Sequence, residues 1–405
     1  MPASIALSSR RVFAAACGLT LLTAVGCSSS PTVPDSPAPA TTSAAQSGYE
    51  LTGTAGTLLE SEDFGSRSAR LTATGATVYR FVYESTSGVD DSATAVSGVA
   101  AVPPGTPPAG GWPIVVYGHG TTGVQADCGP SLYPDLLGLD STVEAFTELG
   151  YVTVLPDYQG LGSGDGTHPY LEPRTAGHNM IDAARAVHNA LPETSARWAA
   201  VGLSQGGQAA WAANELNSSY GQGLNLIASV SLSPPTDLAP LARAASDGTL
   251  TTPQKGLLPY LLYGAQQVDP TLDPRDYSGT VAQTNTELLL ACQGRNTATK
   301  ERAVSEMAPT EFAPRSPEAE QKLFDLIGRY TLPQVRTTVP MFVAYGARDD
   351  IVLPQWTADA VRAACALGDL VVAQEQPEQG HNVSDDAAMQ FLAAELAGAS
   401  VPSTC

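Results

Sequence analysis

The segment at residues 198–207, with the sequence WAAVGLSQGG, decides the fold of this chain. Residues 198–203 are apolar or small at every position, which predicts a buried β-strand. A helix is predicted from Gln205 onward, so the chain has to turn sharply between the strand and the helix. Small residues must flank Ser204 at such a turn, and the turn exposes the Ser204 hydroxyl. The segment therefore predicts a strand and a helix joined by a tight turn that presents a serine.

Strand-like and helix-like segments alternate on both sides of this turn, from about residue 69. Continuous apolar runs such as 114–117 are typical of strands that are covered on both faces. Ser141 and Glu144 form a capping box, which predicts the start of a helix. Strands are predicted at 77–83, 95–102, 114–117, 151–155, 198–203, 226–232, 339–345 and 370–373, and helices over 176–191, from 205 and from about 384. This order predicts an α/β fold with a mostly parallel sheet and helices on both faces.

One long segment interrupts the alternation. Between the predicted strands 226–232 and 339–345 the sequence has helical patches and no convincing strand. We interpret residues 235–338 as a helical cap, inserted into a core that consists of residues 49–234 and 339–405. The apolar stretches of this cap can line a pocket or form its own interior.

The N-terminal region has the features of an export signal. Two arginines precede the apolar run 12–25, which is too short for a permanent membrane span but typical of a signal peptide, here residues 1–26. The run ends in AVGC, similar to a bacterial lipobox, which predicts lipidation of Cys27 and a membrane anchor through this lipid. Cleavage and free secretion are the alternative. Residues 27–48, rich in Ser, Pro, Thr and Ala, are predicted to be a disordered tether.

Charge limits the class of partner. The 405 residues include 20 Lys plus Arg and 40 Asp plus Glu, which gives a formal net charge of −20 at pH 7. Such a charge repels the phosphate backbone of nucleic acids, so nucleic-acid binding is excluded. The net charge does not argue against uncharged substrates.

Four cysteines lie outside the N-terminal region: Cys128, Cys292, Cys365 and Cys405. An even number in an exported chain predicts two disulfides, and four cysteines allow three pairings. The most local choice pairs Cys365 with Cys405 and leaves Cys128 for Cys292. Neither CxxC nor HExxH occurs, so we expect no metal and no cofactor.

A serine hydroxyl becomes a strong nucleophile only when a base takes its proton. His381 is the only histidine that follows Ser204, and it lies in a loop between a predicted strand and a predicted helix. The acid that orients this imidazole should lie between the two, at a strand end. Asp349 follows the strand 339–345 and is the predicted acid, with Asp350 as the alternative.

Backbone N–H groups must stabilise the negative charge that develops on the substrate oxygen during attack. One donor is predicted at Gln205, the residue after the serine. The other is predicted in the glycine-rich loop 118–123, at Thr121, with Gly120 and Thr122 as alternatives.

Three further polar residues lie in loops that follow predicted strands. We expect His119 to shape the loop that follows strand 114–117 and not to act as the base. Asp157 is expected to anchor a loop beside the pocket, and His168 to pack there or line the pocket. Direct contact of Asp157 or His168 with the substrate is the alternative.

With these residues in place, the chain resembles the secretory lipase family of α/β-hydrolases, which includes the fungal lipase A type. The resemblance covers about residues 56–405 and rests on the motifs at 118–123, 127–128, 157–162 with 168–170, 202–207, 349–352 and 380–381. It implies an α/β-hydrolase fold with a helical cap, hydrolysis of acyl esters and no metal. It also implies the disulfides Cys128–Cys292 and Cys365–Cys405, and a triad of Ser204, Asp349 and His381. The loop 118–123 is more similar to bacterial esterases than to the fungal enzymes.

The sequence thus predicts an exported, monomeric serine ester hydrolase, a lipase or carboxylesterase, that forms an acyl-enzyme on Ser204. Its expected partner is a small-molecule or lipid ester substrate. A peptidase or an acyltransferase with the same triad is one alternative. A surface binding protein that kept the fold and lost the chemistry is another.

Overall fold

The computed structural model describes residues 48–294, 296–337, 339–399 and 401–405. The predicted signal peptide, Cys27 and almost all of the tether lie outside these residues. The strands are β1 (Leu58–Asp63), β2 (Thr77–Thr86), β3 (Ala93–Val102), β4 (Trp112–Gly118), β5 (Val152–Pro156), β6 (Thr194–Leu203), β7 (Asn225–Leu232), β8 (Met341–Gly346) and β9 (Val371–Gln376). The helices are α1 (Ala69–Ala73), α2 (Asp140–Glu148), α3 (Pro173–Ala190), α4 (Gln205–Tyr220), α5 (Ala239–Asp247), α6 (Thr252–Val268), α7 (Thr280–Thr284), α8 (Thr286–Leu289), α9 (Thr297–Glu306), α10 (Pro317–Gly328), α11 (Pro354–Leu367) and α12 (Asp386–Leu396).

All nine of these strands belong to one sheet, in the order β1-β2-β3-β5-β4-β6-β7-β8-β9. The pairs from β5 through β4, β6, β7 and β8 to β9 are parallel, and the pairs that join β1, β2, β3 and β5 are antiparallel. In a parallel set the carboxyl ends of the strands lie at one edge of the sheet, where α/β proteins bind their ligands. Ser204 directly follows β6 at this edge.

Apolar layers cover both faces of the sheet, which explains why the central strands are apolar along their whole length. On one face, Met180 and Ile181 of α3 pack in a cluster with Trp198 of β6. On the other face, Phe146 of α2 and Phe391 of α12 share a cluster with residues of the central strands. The α/β-hydrolase fold predicted from the sequence is confirmed.

Helices α5 to α10 occupy the segment between β7 and β8, and its described residues include no strand. These helices share an apolar cluster to which the core contributes Tyr170, Val352 and Trp356. The two ends of the segment meet where the Leu332 N–H donates to the Thr236 carbonyl at 2.8 Å. The segment therefore leaves the core and returns to it at neighbouring positions.

One local prediction requires correction, and one strand is additional to those predicted. The capping box of Ser141 and Glu144 is wrong, because α2 begins at Asp140 and its N-terminus has no side-chain cap. Glu144 is instead bonded to Arg70 at 2.9 Å, an ion pair that the local sequence does not reveal. The edge strand β1 was not predicted, because its side chains are almost all exposed and carry no apolar alternation.

The structure joins Cys128 to Cys292, with Cα atoms 5.2 Å apart, and Cys365 to Cys405, with Cα atoms 5.3 Å apart. This is the pairing expected from the sequence. The first bridge connects the loop after β4 with the segment of α5 to α10, and the second fixes the C-terminus to α11. Among the described residues, no helix is both long and apolar enough to cross a membrane.

Candidate active site

Ser204 lies at the turn between β6 and α4, with φ 55° and ψ −120°. A positive φ is unfavourable for a residue with a side chain and costs of order 1–3 kcal/mol, so the surrounding structure must impose it. The neighbouring glycines explain how. A β-carbon on Gly206 would collide with the Gly118 carbonyl, and one on Gly202 would collide with the Gly206 carbonyl. The motif therefore lets α4 start directly against β4 and β6, with Ser204 held at the turn.

The end of β7 holds both Ser204 and His381. The Ser204 N–H donates to the Leu232 carbonyl at 2.8 Å. The hydroxyl of the next residue, Ser233, donates to the His381 carbonyl at 2.7 Å. Since these contacts involve consecutive residues, the backbones of Ser204 and His381 lie at the same edge of the sheet.

Asp349 and His381 form a direct pair. The Asp349 Oδ2 atom is 2.8 Å from the His381 Nδ1 atom. Asp349 follows β8, and its side chain is almost completely buried, whereas the His381 side chain is 16% exposed. The second oxygen, Oδ1, accepts the N–H groups of Ile351 at 2.9 Å and Val352 at 3.0 Å. This fixes the carboxylate, so the imidazole has one nitrogen engaged and the other available.

In the described chain, no hydrogen bond joins the Ser204 hydroxyl to His381. Such bonds are often long in free enzymes and tighten when the substrate binds. The structure therefore brings together the predicted acid and base, and it places the predicted nucleophile at the same edge without a direct bond.

Ser204 lines an apolar pocket. Its walls come from helices α5 and α6 and from segments next to the sheet, and Ser204, Gln254 and Tyr170 bring polar groups to it. The lining residues are Tyr170, Leu171, Ser204, Pro235, Leu238, Leu241, Gln254, Leu257, Leu258, Leu261, Ile351, Val352 and Trp356. The free space amounts to only about 30 Å³, against roughly 300–1,000 Å³ for typical ligand sites.

The two predicted oxyanion donors lie on segments that come close to Ser204. The Gln205 N–H is the first of α4, where backbone N–H groups have no partner within the helix and the helix dipole favours negative charge. The loop after β4, which carries Thr121, also approaches Ser204, since a β-carbon placed at Gly120 would be 3.9 Å from the Ser204 Cβ. The Thr121 hydroxyl is bonded to the Tyr170 hydroxyl at 2.5 Å. Among the described residues, neither the Gln205 N–H nor the Thr121 N–H donates a hydrogen bond to another group.

His119, Asp157 and His168 lie inside the core. His119 is fully buried, with Nδ1 2.6 Å from the Gly120 carbonyl, and burial lowers its pKa. Asp157 accepts from the Ser131 N–H at 2.8 Å and from two serine hydroxyls. These contacts agree with a role in shaping loops. His168 contacts Gln205, a contact that the sequence did not reveal.

Sequence reasoning missed several residues that hold the site. No sequence signal points to Ser233, and Tyr170 enters only as part of the motif at 168–170. Thr251 and Gln254, at the N-terminus of α6, bond to the carbonyls of Asp350 at 2.6 Å and Ile351 at 3.0 Å. The Thr251 and Gln254 spacing is that of a capping box, which predicts the helix start. Nothing local indicates that the same side chains attach α6 to the loop of Asp349.

Comparisons with known proteins agree with this fold. Candida antarctica lipase A, solved in its closed state, superposes with a TM-score of 0.68 at 17% sequence identity, covering 87% of this chain and 84% of that one. A ligand-bound form of the rice cell wall degrading esterase LipA from Xanthomonas oryzae gives 0.66 at 23% identity, covering 85% and 96%. None of the curated protein sequences matches the chain significantly.

The family comparison is more specific. The model of the secretory lipase family matches residues 138–398, more than half of the chain, and the match includes Ser204, Asp349 and His381. The chain therefore belongs to the secretory lipase family, a family of ester hydrolases.

Proposed function

We propose that this protein is an exported serine hydrolase that cleaves carboxylic esters through an acyl-enzyme on Ser204. The observation that carries the proposal is the 2.8 Å contact between Asp349 and His381, at the sheet edge where the strained turn presents Ser204.

The proposed reaction has two halves. The Ser204 Oγ attacks the ester carbonyl while His381 Nε2 takes the hydroxyl proton, and this proton then passes to the departing alcohol. The N–H groups of Gln205 and Thr121 donate to the oxygen that becomes negative. Water then attacks the acyl-enzyme with His381 as the base, which releases the acid and restores Ser204. Asp349 keeps Nδ1 protonated and stabilises the charged imidazole.

The pocket favours an uncharged, apolar acyl group. Six of its thirteen lining residues are leucine, and the net charge of −20 disfavours polyanionic substrates. The present free space holds a water or two but no acyl chain. The cap must therefore move away from Ser204 when the substrate binds. The contacts of Thr251 and Gln254 with the 350–351 carbonyls are among the polar bonds that such a movement breaks.

The decisive test is Ser204→Ala, assayed with p-nitrophenyl esters from acetate to palmitate and with aminoacyl anilides. We expect the wild type to cleave the esters and the variant to lose turnover by at least about 10³-fold while it remains folded. A fluorophosphonate should label the wild type and not the variant. Ser219→Ala, at an exposed position of the same helix, is the matched control and should keep full activity. Activity in Ser204→Ala, or a preference for anilides, would contradict the proposal.

We further propose that the mature protein is anchored through a lipid on Cys27. The AVGC sequence after the apolar run supports this. A cell fed with labelled fatty acid should incorporate label into the wild type, and Cys27→Ala should release unlabelled protein into the medium. Unchanged labelling in Cys27→Ala would contradict the anchor.

A further inference from the structure

One tripeptide, residues 168–170, contacts both predicted oxyanion donors. His168 Nε2 is 3.0 Å from the Gln205 Nε2 atom. The Tyr170 hydroxyl is 2.5 Å from the Thr121 Oγ1 atom. Gln205 and Thr121 lie on different loops, one after β6 and the other after β4. The tripeptide is therefore a bridge between the two sides of the oxyanion site.

The hydrogen-bond pattern of His168 fixes its protonation. Its Nδ1 atom is 2.8 Å from the Gln159 carbonyl, which can only accept, so Nδ1 carries the proton. Burial lowers the pKa of His168 to about 3, so the ring is neutral and Nε2 has a free lone pair. That lone pair accepts a hydrogen bond from the side-chain amide N–H of Gln205. The imidazole thereby holds the side chain of the residue whose backbone N–H faces the developing charge.

Tyr170 acts in the same way on the other side. Tyr170 is only 2% exposed, and burial raises the pKa of its hydroxyl, which stays protonated. Helix α6 packs directly on it, because a β-carbon at Gly264 would lie 2.5 Å from the Tyr170 nitrogen. The ring also contacts Tyr260 of the same helix, with centroids 6.1 Å apart. Tyr170 is therefore held rigidly where it meets Thr121.

We propose that His168 and Tyr170 are positioning residues that set the spacing of the two oxyanion donors, Gln205 and Thr121. The inference rests on the proposed function. Its physical basis is that an oxyanion site acts through preorganised donors, and that a misplacement of about 1 Å can reduce the rate on the order of 10²-fold. Two side-chain bonds from one rigid segment provide that preorganisation.

The test on the Tyr170 side is a double-mutant cycle on kcat. Tyr170→Phe and Thr121→Val each remove one partner of the same bond while keeping shape and both N–H donors. Each single variant should lower kcat by about 10- to 100-fold, with KM within about twofold of the wild type. The double variant should be no slower than the slower single variant, because the bond is lost only once.

Tyr83→Phe is the matched control. Tyr83 lies on strand β2, and its buried hydroxyl donates to the Asn179 carbonyl at 2.8 Å. Removing this hydroxyl should lower stability and leave kcat unchanged. If Tyr170→Phe lowers only the melting temperature, as this control does, the positioning role is refuted. If the fold reductions in kcat of the two single variants multiply in the double variant, the positioning role is refuted as well. Thr121→Val tests the same bond if Tyr170→Phe fails to fold.

The His168 side offers rescue by a conservative variant. His168→Gln can still accept the Gln205 amide near the former Nε2 position, whereas His168→Leu cannot. We expect kcat to be highest in the wild type, lower in His168→Gln and lowest in His168→Leu, with KM nearly constant. His178→Leu, which removes another buried imidazole, is the control and should leave kcat unchanged. Equal kcat in the Gln and Leu variants would overturn the role of His168.

The two proposals fail differently. Turnover in Ser204→Ala would remove the proposed function itself. A dead Ser204→Ala variant together with unchanged kcat in Tyr170→Phe and His168→Leu would leave the hydrolase intact and refute only the positioning residues.

Discussion

Replacing Asp349 by asparagine should remove most of the activity without unfolding the protein, for a reason visible in the contacts of its two oxygens. Oδ1 accepts the N–H groups of Ile351 and Val352 at 2.9 and 3.0 Å. An asparagine NH₂ group cannot take that place, because it would face two donors. The amide oxygen therefore replaces Oδ1, and the NH₂ group faces His381 Nδ1 at the former Oδ2 position.

This orientation forces the wrong tautomer on His381. Nδ1 has to accept from the amide, so the proton moves to Nε2, which then cannot take the proton of Ser204. The same substitution in a serine protease triad lowers kcat about 10⁴-fold, which corresponds to about 5.5 kcal/mol of barrier. The bonds to Ile351 and Val352 persist with a neutral acceptor, so we expect only about 1–2 kcal/mol of lost stability.

The assay is kcat on a short p-nitrophenyl ester, together with urea unfolding of each variant. Asp350→Asn is the matched control, because the Asp350 side chain is exposed and only its backbone carbonyl is used, by Thr251. It should retain kcat within about twofold. A loss below about tenfold in Asp349→Asn, or a larger loss in Asp350→Asn, would show that Asp349 does not orient the base.

Other predictions concern stability. Replacing Cys128 and Cys292 by alanine opens a loop of 164 residues, so urea unfolding should show a loss of about 5 kcal/mol on the chain-entropy model; no change would mean that the bridge adds no constraint. Burial raises the pKa of Glu215 from 4.5 to about 7, so the folded state binds more protons than the unfolded state between these values, and stability should fall by on the order of 3 kcal/mol as pH rises through them. Urea midpoints at about pH 5 and about pH 8 should show a clearly smaller fall in Glu215→Gln than in the wild type, and equal falls in both would contradict the assignment. Gly264→Ala places a methyl group against Tyr170 and should destabilise the protein by about 1–3 kcal/mol in thermal unfolding, whereas a gain in stability would show that α6 tolerates the displacement.

The order of elements was predictable because its signals are local. An apolar run covered on both faces, followed by glycines, identifies strands such as β4 and β6 without any knowledge of their neighbours. The features that the sequence did not predict depend on residues far apart in the chain. Strand β1 is recognisable only from its pairing with β2, and Glu144 pairs with the distant Arg70 instead of capping α2.

The candidate site also has residues that local sequence signals predict and contacts that only the tertiary structure shows. Chain order and strand ends pointed to Ser204, Asp349 and His381, because α/β-hydrolases place each of these residue types after a particular strand. The contacts of Tyr170 and His168 with the oxyanion donors join residues that are 49 and 37 positions apart. No spacing rule describes them, since their partners are brought close only by the packing of the loops after β4, β5 and β6.

By itself, the sequence determined which chemical groups this protein has and at which strand ends they lie, because turns, caps and apolar periodicity act over a few residues. The tertiary structure alone decided which carboxylate oxygen meets the imidazole, which tyrosine holds Thr121, and how little space remains beside Ser204. Those properties depend on distances of a few ångströms between remote segments, and only close packing of the whole chain sets such distances.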